Sequence, residues 1–186
     1  IFGTHRLCYD IRNFDLAALL GAAKEHFDIR EYSFSAPDEE KEARRELLED
    51  LKIEGMAKAC FGVAAKGAKA HYLFIVRDVK AAARQVKDKR SEDWRSLDIN
   101  LLHTLVLEAL CGIGPQQLAE EKNVHFYRSA DEAIDKVQAP GPYQVVFLVN
   151  PVRMDQIQRV VKKGERFPQK ATDVYPKLQT GLLLGK

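Results

Sequence analysis

The run Val145–Val149 within YQVVFLVN (Tyr143–Asn150) restricts the fold more than any other stretch of this chain. It is apolar at every position, rich in β-branched residues and short, which marks a strand. Successive side chains of a strand point to opposite faces, so a run without polar alternation has to be covered on both. The covers must come from the amphipathic helices around it.

The remaining pattern supplies them. HRLCYDI (5–11), DIREYSF (28–34) and VHFYR (124–128) read as further strands. ACFGVAAKG (59–67) and AHYLFIVRD (70–78) flank Lys66-Gly67-Ala68-Lys69 and read as a hairpin. Helical spacing predicts a helix over 15–27 with Asp15 as N-cap, and a charged one over 37–55 with a Glu40–Arg44 pair. A short helix follows over VKAAARQVKDK, then a polar linker at Ser91–Ser96. LDINLLHTLVLEALCGIG (97–114) predicts the most apolar helix, N-capped by Asp98. Ser129 and Glu132 form a capping box. A last helix is expected with Asn150 as N-cap, Pro151 at its first position and Gly164 just past its end. Strands and helices interleave, so the expected class is α/β (α+β): a mixed sheet of about five to six strands with helices packed on it, in one domain over 1–186.

Composition excludes several functional classes. At 186 residues, 46% hydrophobic and 30% charged, the chain is neither disordered nor membrane-like, and no run reaches the roughly 18–20 apolar residues that span a bilayer. Cys8, Cys60 and Cys111 are far apart and odd in number, against a disulfide framework or zinc. Buried thiols in a cytoplasmic protein are the expectation. The net charge of +2 is too mild for nucleic acid, but it is unevenly spread. Pro151–Lys186 carries eight Lys and Arg against three Asp and Glu, or +5, which leaves −3 for the rest. An anion would be drawn to that end.

The chemical motifs are few. Gly62–Lys69 (GVAAKGAK) has the glycine spacing of a phosphate loop, but Ala68 stands where the lysine belongs and the segment joins two strands. His26 and His71 imply no chemistry. His103, on the apolar helix, is either a hydrogen-bonded core residue or a base. The densest candidate is the segment Gly164–Lys186, where Pro168 and Pro176 stiffen a backbone carrying Arg166, Gln169, Lys170, Thr172, Tyr175 and Lys177. Donors of that kind on rigid irregular chain suit a phosphate or carboxylate. The competing reading is a strap, in which Phe167, Val174, Tyr175 and Leu178 dock into the core while the cations stay in water.

GERFPQKATDVYPKLQTGLLL resembles the C-terminal signature of the uncharacterised prokaryotic family catalogued as domain of unknown function 1015: Gly-Glu-Arg-Met-Pro-Gln-Lys-Ser-Thr, then Tyr-Pro-Lys-Leu and Ser-Gly-Leu. THRL at Thr4, LDINLLHTLVLEALCGI around His103 and VVFLVNP at Val145–Pro151 agree in order and spacing. Polar residues in those blocks, His5, Arg6, Asp98, His103 and Asn150, are candidate neighbours of the site. Phe167 and Ala171 depart from the family's Met and Ser, and Ala171 would remove one hydroxyl from the anion site. The family also carries a Gly-His-His-Arg motif upstream of the THRL-like segment. The expectation is therefore the C-terminal portion of a longer protein, partnered by its own N-terminal half. That motif is similar to the phosphate-contacting turn of the ParB and sulfiredoxin superfamily, which includes free-serine kinases. The resemblance thus implies a phosphotransferase-like protein using ATP or ADP with magnesium, with Arg166, Lys170 and Lys177 stabilising charge. A structural or interaction domain is the alternative, and a ParB-like nucleic-acid-associated protein a further one.

Overall fold

In a computed structural model, which describes residues 3–168 and 171, six strands form one sheet. They are β1 (His5–Tyr9), β2 (Phe27–Ser33), β3 (Cys60–Ala65), β4 (Ala70–Val76), β5 (Val124–Tyr127) and β6 (Tyr143–Val149), in the order β2-β4-β3-β6-β1-β5. The α/β class and the strand number match expectation. The five ladders are all antiparallel, so the sheet is uniform rather than mixed. The hairpin β3–β4 turns at Lys66–Lys69, where Gly67 adopts a positive φ of 69° that a side chain would oppose.

The strand β6 is central, and Val145–Leu148 are fully buried, alternating between two cores. One face carries Phe61, Phe74 and Phe147 together with Phe27, whose ring lies 5.4 Å from that of Phe74. It is covered by α1 (Leu16–Ala23), α3 (Val79–Gln85), α4 (Glu92–Arg95), α5 (Asp98–Leu102), α6 (Pro115–Ala119) and α8 (Met154–Lys162). The other face, with Leu7, Cys60, Leu73 and Val146, is covered by α2 (Pro37–Glu54) and α7 (Ala130–Gln138). Each large apolar side chain so buried contributes about 1.5–3 kcal/mol. No helix among the described residues is long and apolar enough to cross a membrane.

The second face also holds a buried polar chain. His71 is fully buried and its Nε2 meets Glu40 Oε1 at 2.8 Å; Glu40 accepts from Arg44 Nε at 3.0 Å, and Arg44 Nη1 donates to Asp135 at 2.7 Å. The Glu40–Arg44 pair expected on the charged helix thus links β4, α2 and α7.

Four local expectations are corrected. Ser91–Ser96 is no linker: Ser91 caps the helical turn α4, which buries Trp94. Asp98 is the first helical residue and Leu97 the N-cap. Beyond α5 the predicted helix continues as a π-helical segment, His103–Glu108, with i→i+5 bonds from Ala109 N to Thr104 O (3.3 Å) and Cys111 N to Val106 O (3.0 Å). Asn150 caps nothing, because α8 begins three residues after Pro151 with Arg153 as N-cap. Asn150 Nδ2 instead donates to Leu51 O at 2.7 Å and lies so close to Gly55 that any side chain there would strike it.

Candidate functional site

Between α4, the π segment, α6, β5 and the chain at Arg166–Pro168 lies a cleft of about 650 Å³, the size of ordinary small-molecule sites. Its floor is a polar stripe on an otherwise apolar helix: Asn100, His103, Thr104 and Glu108 all line it. In a regular helix residues 103 and 108 point in different directions. The i→i+5 geometry brings them toward one side, which is what a π segment does at many functional sites.

His103 is the most telling member. Its Nε2 is shielded from water and has no hydrogen-bond partner among the described residues. Burial, reinforced by the charge of Arg6, drives its pKa well below the ordinary histidine value, so the ring is neutral. A buried nitrogen left without a partner costs about 1–3 kcal/mol. Arg6 is fully buried on β1, with its guanidinium 5.2 Å from the centre of the Phe126 ring and Nη1 bonded to the Thr4 carbonyl. Burial lowers its pKa to about 9, which leaves it charged at neutral pH.

The rim is cationic and aromatic. Lys87, Arg90 and Arg166 line the cleft against two carboxylates, Asp88 and Glu108. The guanidinium of Arg90 lies 3.9 Å from the centre of the Trp94 ring and pairs with Asp88 at 3.2 Å. Two features pin the start of the C-terminal segment here. Glu165 accepts from Ser91 N at 2.7 Å and Ser91 Oγ at 2.6 Å, which draws its pKa below the usual carboxylate value. The Arg166 carbonyl accepts from Trp94 Nε1 at 2.9 Å and Arg90 Nη1 at 3.4 Å.

Of the expected site residues, the structure brings Arg166 and His103 into one cleft, with Arg6 behind it. Gln169, Lys170, Thr172, Tyr175 and Lys177 lie outside the described residues. Three others are placed elsewhere. His5 shares the Leu7 face of β1, opposite Arg6; its Nδ1 accepts from Val149 N at 3.2 Å, and burial lowers its pKa to about 4 despite a bond to the Arg128 backbone. Asp98 accepts from Gln156 Nε2 at 3.1 Å, and burial raises its pKa. Asn150 ties β6 to the end of α2. Ala171 packs into the apolar core, so its missing hydroxyl is no loss to the cleft. Asn100, Thr104, Trp94 and Arg90 were missed. Only the polar spacing i, i+3, i+4 on the apolar helix could have revealed the first two.

All three thiols are free and buried, with Cys60 and Cys111 pushed up to about 12 by burial. Among the described residues no group of three or more His, Cys, Asp or Glu side chains could hold a metal ion. The described residues therefore offer no built cage for the magnesium that the resemblance implies.

No family model matches the chain, and no solved structure matches it. An arginine–tRNA ligase of Chlorobium phaeobacteroides (strain BS1) is 29% identical over 89 residues, covering 46% of this chain and 16% of the ligase.

Proposed function

We propose that the cleft binds a small anion of the phosphate class, and that it serves a phosphotransferase-like protein of the domain of unknown function 1015 type. The single observation that carries this is His103: a buried, neutral, partnerless nitrogen in the floor of a cleft rimmed by Lys87, Arg90 and Arg166. A neutral imidazole can donate one hydrogen bond to a phosphate oxygen without adding a charge. The guanidinium groups at the rim and Arg6 behind supply the field. The ligase likeness covers too little of either chain to carry that enzyme's activity over.

Calorimetric titration with inorganic phosphate and with ATP tests the reading. Wild type binds, and His103→Leu and Arg166→Ala each weaken binding by about tenfold, the size of one lost charge-assisted bond. Lys170→Ala extends the test to the segment outside the described residues. Absence of binding by wild type, or equal affinity in both His103→Leu and Arg166→Ala, sinks it.

The strap reading is favoured by its own observation, since Glu165 and the Arg166 carbonyl are bound to α4 while Phe167 packs on the core. Its backbone anchors the segment, and the Arg166 side chain stays exposed at the cleft. Strap and site therefore coexist in the same residues.

A further inference from the structure

The cleft is polarised along its length. At one end Asn100 Nδ2 donates to the Trp94 carbonyl at 2.6 Å, and Trp94 and Arg90 both reach the Arg166 carbonyl, so these four residues stand together. At the other end Glu108 closes the π segment, and Ile113, Leu118 and Ala119 form an apolar wall. The helix from Asn100 to Glu108 is about 12 Å long at 1.5 Å per residue, a little less through the wider π turn. His103, Thr104 and Phe126 lie between the two ends.

A bare phosphate held between His103 and the guanidinium groups of Arg90 and Arg166 would leave the apolar wall, the Phe126 ring and Glu108 unused. Glu108 is also informative by its sign. An ionised carboxylate only accepts hydrogen bonds. Away from Arg90 and Arg166, whose partner carboxylate Asp88 is already paired with Arg90, it disfavours a second anion and favours a hydroxyl or amino donor. The cleft thus asks for a ligand about 10 Å long, anionic where His103, Arg90 and Arg166 can reach it, flat and apolar against Phe126 and the α6 wall, and donor-bearing toward Glu108.

We propose that this ligand is a nucleoside phosphate lying lengthwise, with its phosphate toward Arg90 and Arg166, its base against Phe126 and the α6 wall, and a donor group toward Glu108. The proposal rests on the anion reading above. It adds a ring subsite built from different residues.

Calorimetry with inorganic phosphate, adenosine and AMP separates the two. AMP binds wild type about tenfold tighter than inorganic phosphate, the gain expected from stacking one base on an aromatic and apolar wall. Ala119→Trp fills the apolar end from an exposed position on α6 and removes that advantage while leaving phosphate affinity unchanged. Glu108→Gln, also at an exposed position, weakens AMP by about threefold relative to inorganic phosphate. Equal affinity for AMP and phosphate in wild type, or an AMP advantage that survives Ala119→Trp, overturns the ring subsite and leaves the anion site standing. If neither AMP nor phosphate binds, both readings fail.

Discussion

His71, fully buried, and His103, half-buried with a shielded Nε2, lie on opposite faces of the same sheet, both neutral because burial disfavours their charge, and their ring nitrogens meet different surroundings. His71 is answered at one nitrogen: Glu40 holds its Nε2, Arg44 holds Glu40, and Asp135 of α7 holds Arg44, while its Nδ1 is shielded and has no partner among the described residues. His103 faces a cleft with its Nε2 unanswered among the described residues. A polar group buried with its partners rigidifies a fold, whereas one kept without a partner lowers stability and is retained only where something else engages it. On the proposed reading the α2/α7 face serves as structure and the cleft face as a site.

The largest effect should come from breaking the answered side. Glu40→Ala removes the acceptor of His71 Nε2 and the carboxylate that Arg44 grips with Nε and Nη2, leaving a buried imidazole unpaired and Arg44 held by Asp135 alone at close range. A loss of about 3–4 kcal/mol follows, measurable as a lower midpoint in urea with an unchanged slope. A loss below about 1 kcal/mol would mean that the network is decorative and that the contrast with His103 has no energetic content.

Acid comes next. His5, His71 and His103 all titrate lower in the fold than in the unfolded chain, where the value is near 6.5. Below that pH the unfolded chain binds more protons, so stability is complete above pH 6.5 and falls as pH drops toward the folded values. His5, lowered to about 4, accounts for about 3 kcal/mol by pH 4. Denaturation at pH 7 and pH 4.5 should show a pH dependence that His5→Gln reduces but does not abolish. An unchanged pH dependence in that variant would dismiss His5 as a source.

What sequence could and could not reveal divides along the same line. The strands, the hairpin and the both-faces burial of β6 were legible because period and apolarity are local properties. The helix caps at Asp98 and Asn150 were misread because tertiary partners, Gln156 and the Leu51 carbonyl, claim those side chains instead. The π turn was invisible, since nothing in HTLVLE distinguishes it from an α-helical run. Trp94 was lost in a charged stretch whose burial depends on Arg166, 72 residues away. For the same reason the cleft could only be guessed from Arg166 and His103 singly. Their meeting is a fact of topology.

Smaller effects test how the cleft wall is held. Ser91→Ala deletes the hydroxyl that meets Glu165 at 2.6 Å and caps α4 at 3.3 Å, while the backbone bond at 2.7 Å persists. A loss of about 1 kcal/mol is expected, as for a typical cap. It should be accompanied by faster hydrogen exchange at the Trp94 indole N–H, which the Arg166 carbonyl protects. Exchange that is unaltered would show that the Ser91 hydroxyl plays no part in holding the segment.

The smallest stability change should belong to His103→Leu, and that smallness is the sharpest test of all. The substitution removes a buried nitrogen without a partner and fills much the same space with carbon. Relief of desolvation offsets the disturbance of packing, and the net change stays within about 1 kcal/mol of zero, of either sign. Anion affinity falls all the same, because the donor in the cleft floor is gone. His71→Leu should do the reverse, destabilising by about 2–3 kcal/mol through the abandoned Glu40 and Arg44 while leaving binding intact. Urea unfolding and phosphate titration of the two variants give four numbers. If His103→Leu destabilises as much as His71→Leu, the His103 nitrogen was answered after all and the cleft loses its claim as a site.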